Sequence, residues 1–151
     1  MKRFAQRTRQ SGVTLLELMV VLAIIAIIAS TAYPLYVQYI VRAKRAAGTS
    51  MLLQVADRQQ QYFMDNKRYA STLENLGFSA SPFMMNEEGK VVDASDPERV
   101  YSISLSDTSD TTYTATAEPQ LQQADKDTKC ANLTLTHTGE KGYSGSGPNC
   151  W

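Results

Sequence analysis

The sequence predicts an α+β chain: one long N-terminal helix, apolar on every side in its first half, whose second half packs on an antiparallel β-sheet. Three observations carry this. All twelve residues from Leu18 to Ala29 (LMVVLAIIAIIA) are apolar. Further on, from Ala47 through Met51, Leu52, Val55, Ala56, Gln59, Tyr62 and Phe63, the spacings of three, four and five are those of an amphipathic helix, not of a strand. After residue 99, three short runs alternate with period two and are rich in β-branched and aromatic side chains.

The averages hide this division. A chain of 151 residues with 15 basic and 15 acidic side chains and a mean hydropathy of -0.29 reads as one ordinary soluble domain. Yet the first twelve residues, MKRFAQRTRQSG, hold Lys2, Arg3, Arg7 and Arg9 and no acid, so the remainder carries a net charge of -4. From Lys67 to Trp151 seven basic residues face twelve acidic ones, net -5, and an acidic body does not advertise a nucleic-acid partner. Full disorder is excluded because the apolar block and the Tyr-rich remainder can both bury surface. A polytopic membrane protein is excluded because only one stretch approaches the roughly 20 residues that span a bilayer.

The helix is expected over residues 13–66, about 80 Å at 1.5 Å per residue. Its start admits two readings. A basic segment before an apolar run resembles a secretory signal, with Ser30-Thr31-Ala32 offering small residues for cleavage. Against that stands the junction Ser11-Gly12-Val13-Thr14-Leu15-Leu16-Glu17, which places an acid inside the apolar run, where a carboxylate costs a few kcal/mol and is by default functional. The helical pattern also continues past Pro34, far beyond a signal peptide. Pro34 removes a backbone donor and frees the carbonyl of Ser30, which Ser30 or Thr31 is placed to satisfy, and Gly48 is a second weak point. Four basic residues before the span against Arg42, Lys44 and Arg45 after it orient the N-terminus to the cytoplasm by a slim margin. Those three read as a solvated or headgroup-facing turn.

Beyond the helix, Tyr69 to Phe78 forms a short helical segment ended by Gly77, and Ser79 to Glu98 reads as a loop. Strands are expected at Val100 to Leu105, Tyr113 to Glu118 and Leu133 to Thr136, with one face buried against Leu52, Val55, Tyr62 and Phe63. Cys130 and Cys150, with only His137 between them, cannot supply four zinc ligands, and export would make them a disulfide closing the C-terminal loop.

On these residues the chain resembles the type IV pilins. GVTLLELMVVLAIIAIIASTAYP looks like their class III signal: a basic leader ending at Gly12, a hydrophobic helix with Glu17 five residues on, and Pro34 twenty-two residues on. Downstream, Gln59-Gln60-Gln61-Tyr62-Phe63, Tyr69, Leu76-Gly77 and the C-terminal Asp127, Cys130, Cys150 and Trp151 are most like minor pilins of the PilE type. The resemblance implies the type IV pilin fold, with the hydrophobic half of the helix protruding. It implies a leader of residues 1–12, a transmembrane and assembly half at 13–40, an amphipathic half at 41–66 and a globular head at 67–151. It further implies cleavage between Gly12 and Val13 by a prepilin peptidase and methylation of the new amine, although Val13 stands where the family most often has Phe or Met. Glu17 would pair with that amine on a neighbouring subunit, each cancelling the other's desolvation and fixing axial register.

No catalytic set emerges: His137 is isolated and the acids scatter over loops. The Gly145-Ser146-Gly147-Pro148 stretch lacks the Lys-Ser/Thr of a phosphate loop. No cofactor and no metal are expected. The resemblance implies a minor pilin, held in the inner membrane before assembly and in a surface pilus after it, serving twitching motility, adhesion or DNA uptake. Its partners would be major and minor pilins, the peptidase, the inner-membrane assembly platform and inner-membrane lipid. Two rivals share the N-terminus: a type II secretion pseudopilin, which the Cys-Trp tail disfavours, and the DNA receptor of a competence pilus, which needs a basic face such as Lys126, Lys129 and Lys141 clustered near the disulfide.

Overall fold

A computed structural model describes residues 12–151; Lys2, Arg3, Arg7 and Arg9 of the expected leader lie outside the described residues. Helix α1 runs Leu15–Asn66, followed by a 3₁₀ turn at Glu74–Leu76, strands β1 (Phe83–Met85), β2 (Val91–Val92), β3 (Tyr101–Ser106) and β4 (Thr114–Pro119), helix α2 (Leu121–Lys126), and strands β5 (Leu133–Thr136) and β6 (Lys141–Tyr143). The chain divides into two compact units, one ending at Gln38 and one spanning Tyr39–Trp151.

In the first unit the helix begins where Thr14 Oγ1 accepts the Glu17 N–H at 3.2 Å, a side-chain cap on one of the orphan donors of the first turn. From Leu15 to Tyr36 every side chain is exposed, including Leu15, Ile24, Ile27 and Tyr33.

The second unit holds the core. On α1 the buried positions are Gly48, Met51, Leu52, Val55 and Gln59, one stripe at helical spacing. Leu52 and Val55 share one cluster with Leu73, Tyr101, Ile103, Ala115, Ala117 and Leu133. The sheet has six antiparallel strands in the order β2-β1-β3-β4-β5-β6. Its register sets Ile103 opposite Ala117 and Ala117 opposite Leu133, so a small residue lies between two large ones and the buried layer interdigitates.

The three expected strands are present within one residue, but the sheet has three more. Ser79 to Glu98 is not simply a loop: β1 and β2 form a hairpin inside it, joined by a turn in which Asn86 Oδ1 accepts the N–H groups of Glu88 and Lys90. Strands of two or three residues are too short to display a period. Likewise β6 (Lys-Gly-Tyr) has no apolar alternation and owes its existence to backbone pairing with β5. Helix α2 falls in a stretch that reads as polar connection. Tyr62 is a half-buried flank of the cluster, Phe63 is half-buried against the Tyr69 ring, and the fully buried position on that turn belongs to Gln59.

Candidate assembly segment and the clamp in the head

Gly12 and Val13 are exposed, and nothing lies within 4 Å of where a Cβ on Gly12 would stand. Glu17 sits in the first turn of α1, where the helix dipole favours an anion, and its carboxylate takes no bond among the described residues. Pro34 lies inside α1 without ending it. Ser30 and Thr31 do not satisfy the carbonyl that Pro34 frees. Their hydroxyls donate to the Ile27 and Ile28 carbonyls at 2.7 and 3.0 Å, one turn earlier, because a helical Ser or Thr reaches back toward the N-terminus.

Gly48 is not a weak point of the helix. It is buried, and a Cβ there would meet the Tyr101 ring at 3.0 Å, so its missing side chain is what lets that ring lie against α1.

Tyr101 belongs to a polar network under α1. Arg45 holds Asp127 bidentately, with Nε at 2.9 Å from Oδ2 and Nη2 on Oδ1, and the Asp127 side chain is 1% exposed. Gln123 Nε2 shares its two hydrogens among three acceptors, Asp127 Oδ2, the Tyr101 hydroxyl and the Val41 carbonyl, at 3.1, 3.1 and 3.2 Å. The bond to Asp127 raises the Arg45 pKa. Burial pushes the Tyr101 phenol well above its ordinary value, and the bond from Gln123 works against that.

The same aspartate anchors the C-terminal loop. Its backbone carbonyl accepts the N–H groups of Cys130 and Ala131 at 3.1 and 2.8 Å, and Cys130 is disulfide-bonded to Cys150. Gly145 and Gly147 donate to the Cys130 and Lys129 carbonyls, and a Cβ on Gly145 would fall 2.1 Å from the Lys129 oxygen. Trp151 closes the loop, its indole N–H on the Gly142 carbonyl at 2.8 Å and the Lys141 ammonium 5.2 Å above its ring. The count of two cysteines and their expected export pair them, but nothing in the sequence reveals that Asp127 of the Asp-x-x-Cys motif reaches α1.

Arg45 and Lys44 are therefore not merely a solvated turn. Arg45 is largely buried on Asp127, and Lys44 lies 3.5 Å from Glu87 in the hairpin turn. A second anchor, also unread in the sequence, is Gln59. Its amide donates to the Ala70 carbonyl at 3.0 Å and accepts the Ala70 N–H at 2.9 Å, tying the segment after α1 back to the helix. Gln60 extends this by donating to the Tyr69 hydroxyl at 3.2 Å.

Two family models match the chain. One, described as type IV minor pilin ComP, DNA uptake sequence receptor, covers residues 34–134; the other, the prokaryotic N-terminal methylation motif, covers residues 7–33. No curated protein matches. The first match covers well over half of the chain, and the second lies on the segment holding Gly12, Val13 and Glu17. With its long helix, antiparallel sheet and disulfide-closed tail, the chain belongs to the type IV minor pilin family and is a structural subunit of a type IV pilus.

Proposed function

We propose that the chain is made as a single-pass inner-membrane prepilin with residues 1–12 in the cytoplasm, cut between Gly12 and Val13 by a prepilin peptidase and methylated on the new amine. Residues 13–40 then leave the bilayer for the filament, residues 41–66 carry the head, and an assembly platform drives the transfer. The observation that supports this best is the wholly exposed apolar surface from Leu15 to Tyr36 with one unbonded acid, Glu17. Each large apolar side chain there gains about 1.5–3 kcal/mol when lipid or neighbouring helices cover it. The Val13 ammonium of a neighbour supplies the counter-charge that Glu17 lacks, and a subunit out of register leaves both unpaired.

The N-terminal mass of the mature protein tests the processing step. A start at Val13 supports it; a start at Tyr33 with a freely secreted product overturns it. Glu17→Ala tests the pairing: insertion stays intact and incorporation into pili falls, whereas normal incorporation sinks it.

The filament serves motility, adhesion or DNA uptake, and the description of the matching family favours looking at DNA first. Against it stand the net charge of -5 past residue 66 and the anchoring of Lys141 over Trp151. A DNA receptor requires affinity that falls steeply with salt, so a titration across a salt series decides between a receptor and a purely structural subunit.

A further inference from the structure

The end of α1, the segment that follows it and the turn after β3 line an open cleft of about 270 Å³. We propose that it is a binding site for an uncharged pyranose ring. Tyr62 and Tyr69 line it, with Arg68, Asn75, Thr108 and Asp110 around them, and Tyr62 supplies the ring not already packed between two other aromatic side chains.

The walls are rigid before any ligand arrives. The Tyr69 hydroxyl is held by Gln60 and its N–H by the Asp110 carbonyl at 3.0 Å; its ring packs 4.8 Å from both Phe63 and Tyr113. The turn that brings Thr108, Ser109 and Asp110 to the cleft is held from behind by residues that do not line it. Thr112 Oγ1 bonds the Asp107 carbonyl at 2.9 Å and the Ser109 hydroxyl at 2.7 Å, and Ser109 Oγ accepts the N–H groups of Thr111 and Thr112. Preorganisation of this kind is what a weakly bound small ligand needs.

The chemistry of the lining selects the ligand. The guanidinium of Arg68, the amide of Asn75, the hydroxyl of Thr108 and the carboxylate of Asp110 form no hydrogen bond or ion pair among the described residues. They offer donors and acceptors together, and the one positive and one negative charge cancel, so no net field draws an ion. A sugar ring meets both conditions: each hydroxyl donates and accepts, and its C–H faces stack on the electron-rich face of tyrosine. The volume, just under the roughly 300–1,000 Å³ of ordinary small-molecule pockets, suits a single ring. A fused or stacked base would leave the carboxylate facing a phosphate backbone of like charge.

The ring would come either from polysaccharide of the producing cell's own envelope or from glycans of a surface the pilus touches. The test is NMR titration of the full chain in a detergent without a sugar head, using the methyl glycosides of glucose, galactose and mannose. At least one should shift the signals of Tyr69, Asn75 and Asp110, with a Kd of order 1–10 mM. Asp110→Ala removes an exposed carboxylate whose backbone carbonyl still serves Tyr69; it should melt like the parent and bind about tenfold more weakly. Glu140→Ala should bind as the parent does. Retention on immobilised envelope polysaccharide or on mammalian-cell glycans then assigns the source. No shift with any glycoside, equal binding by Asp110→Ala, or retention on neither support overturns the proposal, as does saturation of the cleft by an oligonucleotide. The site lies in the head, so its failure leaves the processing and assembly proposals standing.

Discussion

The guanidinium of Arg45 and the buried carboxylate of Asp127 form a two-point ion pair across 82 positions of sequence, and the same aspartate receives the Cys130 amide. Helix and tail are thus fastened at one residue. Removing one partner of a buried pair typically costs about 3–5 kcal/mol because the other charge is stranded. Asp127→Ala is expected at the upper end and Arg45→Met lower, since Arg45 keeps some exposure and can reach water. Denaturant unfolding of both variants checks the order; equal, small losses would contradict a buried clamp.

Gln59 saturates both backbone groups of the buried Ala70. Gln59→Leu keeps the volume and loses both bonds, and each stranded polar group costs about 1–3 kcal/mol. A loss of roughly 3 kcal/mol is expected, together with faster amide exchange at Ala70 than at Leu133. Protection at Ala70 equal to the parent's would show that another group takes over.

Helix propensity makes Gly48→Ala a stabilising change of about 1 kcal/mol. Here the new methyl meets three Tyr101 ring atoms at 3.0–3.2 Å, and that ring is pinned by Gln123. Overpacking costs about 1–3 kcal/mol, so the net effect is expected to be a lower Tm. A raised Tm would mean that the ring moves freely.

Reduction of Cys130–Cys150, or the double serine variant, releases a loop with 20 residues of separation, worth roughly 3 kcal/mol on loop entropy. Thermal unfolding with and without reductant measures it. The tail should loosen first, with Trp151 fluorescence changing before the sheet melts.

At alkaline pH the two buried phenols dominate. Burial pushes Tyr113 up to about 12 from its ordinary 10.0 and raises Tyr101 further. The folded state holds protons that the unfolded chain has released, so this stabilisation is complete below pH 10 and declines as pH rises through the folded-state value. Tyr113→Phe should flatten the decline between pH 10 and 12 in a melting series; an unchanged slope would assign the loss elsewhere.

The long helix, the three principal strands and the cysteine pair were legible because each rests on a local signal: a period, an alternation or a count. Gly48 was misread because a helical glycine looks the same in sequence whether it weakens the helix or admits a ring from 53 positions away. Arg45 was misread for a similar reason. Within Arg42, Lys44 and Arg45 nothing local singles out Arg45 as the residue whose partner, Asp127 at the end of α2, lies 82 positions away. Gln123 and Asp127 are polar and buried, which a hydrophobic pattern records as exposure, and Gln59, though it falls on the apolar stripe, carries no local sign of the Ala70 groups it binds. Strands β1, β2 and β6 owe their conformation to what they pair with, and pairing leaves no trace in two or three residues.

The outermost strands of the sheet, β2 and β6, have two and three residues. Where folded heads are held close together, a long open strand would recruit the next head by backbone pairing. Borders this short leave little backbone on which such pairing between heads could start.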